Sequence, residues 1–557
     1  MIFRILPIVT LLFLFIVPTF SQNITITADV EKQIEELFMD YQNKPGCAVG
    51  IYHQGEIIYE KGYGYANLEH QVKVVPESIF DVASISKQFT AACVLLLEEE
   101  GKLDLDDPIQ KYLPELPTYA KGAVTIRHLL HHTSGFKDYL AVLHFMGKSW
   151  DMNFTEEDGL DLLKQLKVLN FTPGEQYSYS NSNYLALGII VQRLSGQSIN
   201  EYAQENILQP LGMNHSFFYE DSERVIPNRT IGYTDEGNGY EREHFFNFIV
   251  PGDGGLHTNI GDFLKWSNNY RSSKIGAADF VEKLLTKAKL NNGNESTYAM
   301  GVEHGLYLGY EFFGHNGSWG GSRSMFLQFP SADLAVMVMS NNGTINVWGK
   351  AYQLAGIVLP ENQIISESEG TMTTTPIRTP IELSKQQLEQ FCGNFVDLAS
   401  GYDRRIYFKD GSLYYYRAAD SESRIFPVGE SEFGMEGASG DLLISFREEG
   451  GQRMMYVTQG ENEYVYEGYT PASYSSSDLQ RFAGQYRAAE FEASYEIKVL
   501  DGQLILSVGE AELESFRPAM TNVFCSDHLG YLRFSDDGKR FLLTDDALGA
   551  LAFEKIH

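Results

Sequence analysis

The chain runs to 557 residues, room for two or three domains, and carries a formal net charge of −31. A surface that acidic repels phosphate backbones and anionic lipid, so nucleic acid is excluded as a natural partner. Four cysteines, Cys47, Cys93, Cys392 and Cys525, lie far apart without zinc-ligand spacing and read as buried free thiols.

The first residues have the layout of a secretory signal: Arg4, an apolar run over 5–17, then Thr19-Phe20-Ser21 ahead of Gln22. The run is short for a membrane span. Removal of 1–21 and export to the periplasm or medium are therefore expected, with no stable span left behind. Over 29–41, Val30, Ile34, Leu37 and Phe38 recur at helical spacing and predict an amphipathic helix. Two apolar runs, 46–52 and 56–60, flank His53-Gln54-Gly55 and predict a hairpin.

Next comes Ser84-Ile85-Ser86-Lys87, between the apolar stretch 79–83 and an apolar helix expected over 88–100. Ser and Lys three apart at a helix start share one face, which brings the amine within reach of the hydroxyl. The helix N-terminus adds backbone N–H groups and positive dipole for a developing oxyanion. Those parts make an activated nucleophile. By itself the pattern reads equally as a helix cap.

A short helix is expected over 125–131, closed by Thr133-Ser134-Gly135. His128, His131 and His132 cluster there, but no carboxylate or cysteine joins them at ligand spacing, so a polar helix end is expected and not a metal site. After the turn Phe171-Thr172-Pro173-Gly174, Tyr179 and Asn181 stand two apart on an irregular segment before an apolar helix at 185–194. A Tyr beside a Lys ammonium can have a lowered pKa and shuttle protons. Gly252-Asp253-Gly254-Gly255 lacks the Walker lysine and Rossmann spacing, and reads as a backbone turn before a helix at 259–270. No cofactor is expected. Three strands are predicted at 310–317, 324–330 and 334–340, then a helix at 346–358. With the N-terminal hairpin they make one five-stranded antiparallel sheet flanked by helices. The long helical middle makes a second lobe.

Residues 361–382 are rich in Ser, Thr, Glu and Pro and read as a linker. Beyond it the chain repeats. Leu388, Phe391, Gly393, Asp410-Gly411 and Pro427 recur as Leu479, Phe482, Gly484, Asp501-Gly502 and Pro518, each 91 residues later. Short alternating strands broken by Asp-Gly turns predict a small antiparallel barrel or meander in each copy, over 383–471 and 472–557.

Ser84-x-x-Lys87, Tyr179-x-Asn181 and His315-x-Gly317 occur in that order, each on the element type its chemistry requires. Together they resemble the serine β-lactamase and penicillin-binding-protein superfamily, nearest its class C-like branch. The likeness covers about 30–358, giving a two-lobed α/β catalytic domain over 22–360. The two β repeats resemble the arrangement in D-stereospecific aminopeptidases of that branch. The resemblance implies that Ser84 forms an acyl-enzyme, with Lys87 and Tyr179 sharing the proton traffic. It implies that Asn181 positions Lys87 and the substrate amide. It places the oxyanion in a hole made by the backbone N–H groups of Ser84 and Ser318, with Asn181, His315 and Gly317 against substrate.

One departure bears on substrate. The usual third motif, Lys-Thr-Gly, is here His315-Asn316-Gly317, and a neutral imidazole lacks the fixed cation that grips a carboxylate. Arg323 is a possible replacement charge. The expected function is an exported serine hydrolase acting on small peptides, amides or esters, with a lean to D-aminoacyl peptides and amides. In that lean the twin repeats hang over the cleft and limit substrate size. The rivals are a penicillin-binding or β-lactam-hydrolysing protein, and a non-catalytic binding protein displayed on the same fold. The sequence leaves oligomeric state open.

Overall fold

Two hydrophobic stretches of extreme sequence separation pair at the centre of the molecule. Cys47–His53 and Leu334–Ser340, each buried along its whole length, run antiparallel from Cys47 beside Ser340 to His53 beside Leu334. Around them six antiparallel strands stand in the spatial order Glu303–Tyr307, Tyr310–Trp319, Ser322–Phe329, Leu334–Ser340, Cys47–His53 and Glu56–Tyr63. The sequence predicted five of these. Glu303–Tyr307 is an edge strand without a buried face, so it lacks the apolar alternation that marks the others. The computed structural model describes residues 24–556 apart from 236, 244, 361–379, 399–400, 419–420, 437–441, 460–461, 489 and 492. The signal expected at 1–21 and nearly all of the linker expected at 361–382 lie outside the described residues.

Helices Ala28–Leu37 and Val347–Val358 cover one face of the sheet, closing a core of Ile34, Val49, Val336 and Leu354. Lys87–Glu99 and Ile260–Arg271 cover the other, where Phe89 stacks on Trp266 with ring centroids 4.2 Å apart. Asn181–Ser195 packs behind Lys87–Glu99 in the helical lobe. No helix among the described residues is long and apolar enough to cross a membrane.

Each C-terminal repeat is a closed eight-stranded antiparallel barrel. Closure comes from pairing of first and last strands, Phe395 with Gly468 and Arg487 with Glu554, and it leaves no sheet edge open. The duplication is visible in the backbone. Asp410-Gly411 and Asp501-Gly502 both hold positive φ, at 50° and 80° and at 48° and 79°, as two-residue hairpin turns.

The barrels relate differently to the catalytic part. The first has its own core, around Phe395, Leu413, Phe433 and Met455. The second shares one continuous apolar core with the catalytic helices. Phe145, at the end of helix Tyr139–Phe145, stacks on Tyr495 of the second barrel at 4.8 Å. The Asp138 amide donates to the carbonyl of Ala547 at 3.0 Å. Among the described residues none from either barrel lines the cavity at Ser84, and the second barrel docks against helix Tyr139–Phe145. All four cysteines are unpaired, and Cys47, Cys93 and Cys525 are buried.

Candidate active site

Ser84 stands in a short 3-10 turn, Ala83–Ser86, that feeds directly into the helix Lys87–Glu99. The residue before it is strained: Ala83 has φ +48°, a left-handed conformation that a Cβ disfavours. Three contacts hold it. The Ala83 amide donates to Asp81 Oδ1 at 2.8 Å, and the Ser86 hydroxyl donates to the Ala83 carbonyl at 2.5 Å. The Leu256 amide in turn donates to Ser86 Oγ at 2.9 Å. The result is a sharp bend that leaves Ser84 half-exposed while Lys87 is fully buried.

Lys87 Nζ donates to Ser84 Oγ at 3.0 Å, to Asn181 Oδ1 at 2.9 Å and to the Asp253 carbonyl. Burial pushes the amine below the usual lysine range, while the carboxylates of Asp253 and Asp138 pull it part of the way back. Burial raises the Asp253 carboxyl, against the pull of Lys87 and of a hydrogen bond from Tyr139 at 2.9 Å. Asn181 is the first residue of helix Asn181–Ser195 and not part of an irregular segment before it. Asp138 Oδ2 accepts from both the Asn181 amide, at 2.6 Å, and Asn181 Nδ2, at 2.8 Å, which fixes the side-chain oxygen toward Lys87.

Tyr179 lies beside this group, its ring centroid 5.0 Å from Lys87 Nζ. Its buried hydroxyl makes no hydrogen bond at ordinary distance and angle. Burial holds the phenol well above its usual value, with a looser interaction from Ser84 lowering it by less. The sequence expectation of a lowered Tyr pKa is therefore reversed. Burial penalises the phenolate more than nearby charges favour it, so the phenol holds its proton more firmly than an exposed tyrosine does.

His315 is also buried. Its Nδ1 lies 2.6 Å from the Asn316 carbonyl, which only accepts, so the neutral ring carries its proton there. Nε2 then accepts from the Tyr298 hydroxyl at 3.0 Å. Burial, followed by the charge of Lys87, holds the imidazole down to about 3, so the third motif offers no cation near pH 7. Arg323 does not replace it: its guanidinium donates to the Gly320 and Ser322 carbonyls of its own hairpin. Gly317 brings its strand hard against the Ser84 turn. A Cβ there would stand 2.2 Å from both the Val82 carbonyl oxygen and Ser324 Oγ, closer than any side chain tolerates.

Ser84, Asn181, Asp253 and Ser318 line one cavity of about 120 Å³. Along one wall Phe248 and Phe245 pack against Trp319, with centroids 5.1 and 5.4 Å apart. Another part of the wall is polar, with Asp81, Arg229 and Glu243, whose carboxyl is pushed up to about 7 by burial and then by Asp81. Such a site can take a carbonyl carbon at Ser84, a proton at Lys87 and an apolar substituent on the aromatic wall.

The geometry brings together Ser84, Lys87, Tyr179, Asn181 and His315, and it places Gly317 and Ser318 on the strand against the Ser84 turn. Sequence reasoning missed Asp138, Asp253 and Tyr298, and treated His132 only as a metal candidate. Asp253 had a signal, its place in a Gly-Asp-Gly-Gly turn. Tyr298 had none. Among the described residues no three His, Cys, Asp or Glu side chains gather at metal-binding distance.

Comparison with known proteins agrees with this architecture. Residues 32–350, more than half the chain, match the family model described as Beta-lactamase. A D-aminopeptidase of Gluconobacter oxydans is 27% identical over 465 residues, covering 82% of each chain. A D-aminopeptidase of Cereibacter sphaeroides is 24% identical over 489 residues, covering 86% of this chain and 87% of the relative. In fold, the chain resembles the octameric penicillin-binding protein homologue from Pyrococcus abyssi, with a TM-score of 0.55 and 23% identity over 87% of this chain and 98% of that one.

Proposed function

The chain belongs to the beta-lactamase family and is a serine hydrolase; from that premise we propose that it releases amino-terminal D-residues from short peptides and amides through an acyl-enzyme on Ser84. The observation that carries the reading is the buried Lys87 amine, depressed in pKa and held between Ser84 Oγ and Asn181 Oδ1. Ser84 Oγ bonds to the substrate carbonyl carbon as its proton passes to neutral Lys87. The Ser84 and Ser318 N–H groups receive the oxyanion. The carbon–nitrogen bond then breaks, the Tyr179 phenol protonates the leaving amine, and Lys87 returns the proton to Tyr179. Water attacks the ester by the reverse relay and restores Ser84.

Two observations support the substrate class. Relatives called D-aminopeptidases match along most of this chain, over more residues than the catalytic part alone contains. The third motif carries neutral His315 where a cation would grip a β-lactam or D-Ala-D-Ala carboxylate, a loss of about 1–3 kcal/mol of binding. The aromatic wall at Phe248 and Trp319 suits an apolar side chain on the acyl residue. We also propose export, on the strength of the apolar run at 5–17 behind Arg4.

The test is a panel of D- and L-aminoacyl p-nitroanilides, short acyl esters and a chromogenic cephalosporin, run on wild type and Ser84→Ala. Turnover of D-aminoacyl anilides over L-forms, abolished in folded S84A, is expected. Turnover of the cephalosporin alone favours the β-lactamase rival. Activity that survives S84A overturns the acyl-enzyme.

A further inference from the structure

His132 takes no part in the relay above, yet it touches the relay segment three times. Its backbone carbonyl accepts from the Ser178 amide at 3.0 Å. Its ring nitrogen Nδ1 lies 3.1 Å from the Ser180 amide. Its ring lies over that of Tyr179 with centroids 4.2 Å apart and planes 30° from parallel. Tyr179 is thus pinned through the residue before it, the residue after it and its own ring, all by one side chain and its carbonyl. His132 holds φ +54°, the turn that points carbonyl and ring at the same segment.

The hydrogen bonds also settle the ring's proton. A backbone amide only donates, so Nδ1 is the acceptor and the neutral ring carries hydrogen on Nε2. A second group agrees. Asn183 Nδ2 stands 3.0 Å from the same Nδ1, while Asn183 Oδ1 accepts from the Ser134 hydroxyl, which fixes the amide the right way round. With two donors aimed at Nδ1, a proton there has no room, and the residue is locked neutral beside Lys87. Nε2 is fully buried and finds no hydrogen-bond partner among the described residues.

We propose that His132 is the positioning residue for Tyr179, a non-titrating clamp that sets where the phenol stands over Ser84 and Lys87. The inference rests on the reading of Tyr179 as the proton donor. The chemistry asks for such a clamp, because among the described residues the Tyr179 hydroxyl has only its loose interaction with Ser84 to hold it in place.

The test is a double-mutant cycle in the full-length chain, with D-alanine p-nitroanilide and p-nitrophenyl acetate as probes. His132→Phe keeps a flat ring and removes the acceptor for Ser180. His132→Asn keeps an acceptor and removes the ring. H132F is expected to lower kcat about 10- to 100-fold with KM within about threefold, the signature of a misplaced catalytic group. H132N should lose less. In a Tyr179→Phe background H132F should cost nothing further, because its effect runs through the phenol. The pH at which kcat/KM rises should stay where it is in wild type.

Losses that simply add overturn the proposal, since a purely structural role would add. Disappearance of a limb from the pH profile overturns it as well, because the clamp would then be a titrating base. If H132F fails to fold, the same cycle with H132N decides. Y179F that retains full kcat on both probes sinks the reading of Tyr179 itself, whereas a crippled Y179F beside an unaffected H132F sinks only the clamp.

Discussion

Lys87 acts as a base only when neutral, so its environment sets where activity begins on the pH axis. Burial disfavours the ammonium and moves the amine below the ordinary lysine value of about 10.4. Asp253 and Asp138 oppose that shift, and the two nearest imidazoles, His132 and His315, are neutral and add no charge. kcat/KM should therefore rise with pH along a limb centred below the usual lysine range. Asp253→Asn removes an anion that favours the ammonium, so the amine should lose its proton more easily and the limb should move to lower pH. The Asp253 carbonyl, which accepts from Lys87, survives that substitution. A pH–rate profile of the two proteins checks the sign, and a shift to higher pH contradicts it. The nucleophile and its lysine were legible from four residues because a helix fixes their spacing. Their electrostatics were not, because Asp253 lies 166 residues from Lys87 and only the fold joins them.

At the scale of elements, the approach of strand Tyr310–Trp319 to the Ser84 turn is set by one missing side chain. Gly317→Ala would drive a methyl into the Val82 carbonyl oxygen and Ser324 Oγ, each 2.2 Å from its ideal position. The Val82 carbonyl is backbone and already accepts from Ser324 Oγ at 2.9 Å, so the strand must shift and take Ser318 with it. Loss of one oxyanion donor lowers kcat about 10²- to 10³-fold, and G317A should fall in that range while losing about 1–3 kcal/mol of stability to the overpacked contact. Helix Glu156–Gln165 supplies a prediction of opposite kind. Glu156 Oε1 is buried without a partner, and burial, then Glu220 and Asp253, push its carboxyl up to about 8. An unfolded Glu ionises near about 4.3, so the unfolded chain gains from ionisation before the folded one does. Through this group wild type should lose stability as pH rises from about 4.3 to about 8, a contribution that Glu156→Gln removes. The difference in denaturant midpoint between the two should widen across that window and level off above it. Helices and central strands were legible because apolar periodicity declares them. The edge strand Glu303–Tyr307 was not, since nothing on it needs burial.

The whole molecule is less modular than its sequence suggests. A constant 91-residue offset marks two equal copies, and both are indeed closed barrels, but only one has an apolar core separate from that of the catalytic part. What the repeat could not reveal is docking, because the residues that join the second barrel to the helices are ordinary aromatics on either side. Phe145 is fully buried among Tyr495, Phe491 and Phe553, with centroids 4.8 to 5.9 Å away. Seven residues earlier Asp138 gives its amide to Ala547 of that barrel and its carboxylate to Asn181. Barrel, helix Tyr139–Phe145 and the Lys87 partner are thus one mechanical unit. Phe145→Ala should cost about 3–5 kcal/mol at this junction, the usual range for an aromatic removed from a packed core. If the unit is real, the loss reaches the site: kcat should fall while the first barrel unfolds as in wild type. Denaturant unfolding followed beside kcat on one preparation distinguishes the cases. A destabilised F145A with unchanged kcat would mean that the second barrel only leans on the enzyme, and that Asp138 holds Asn181 without its help.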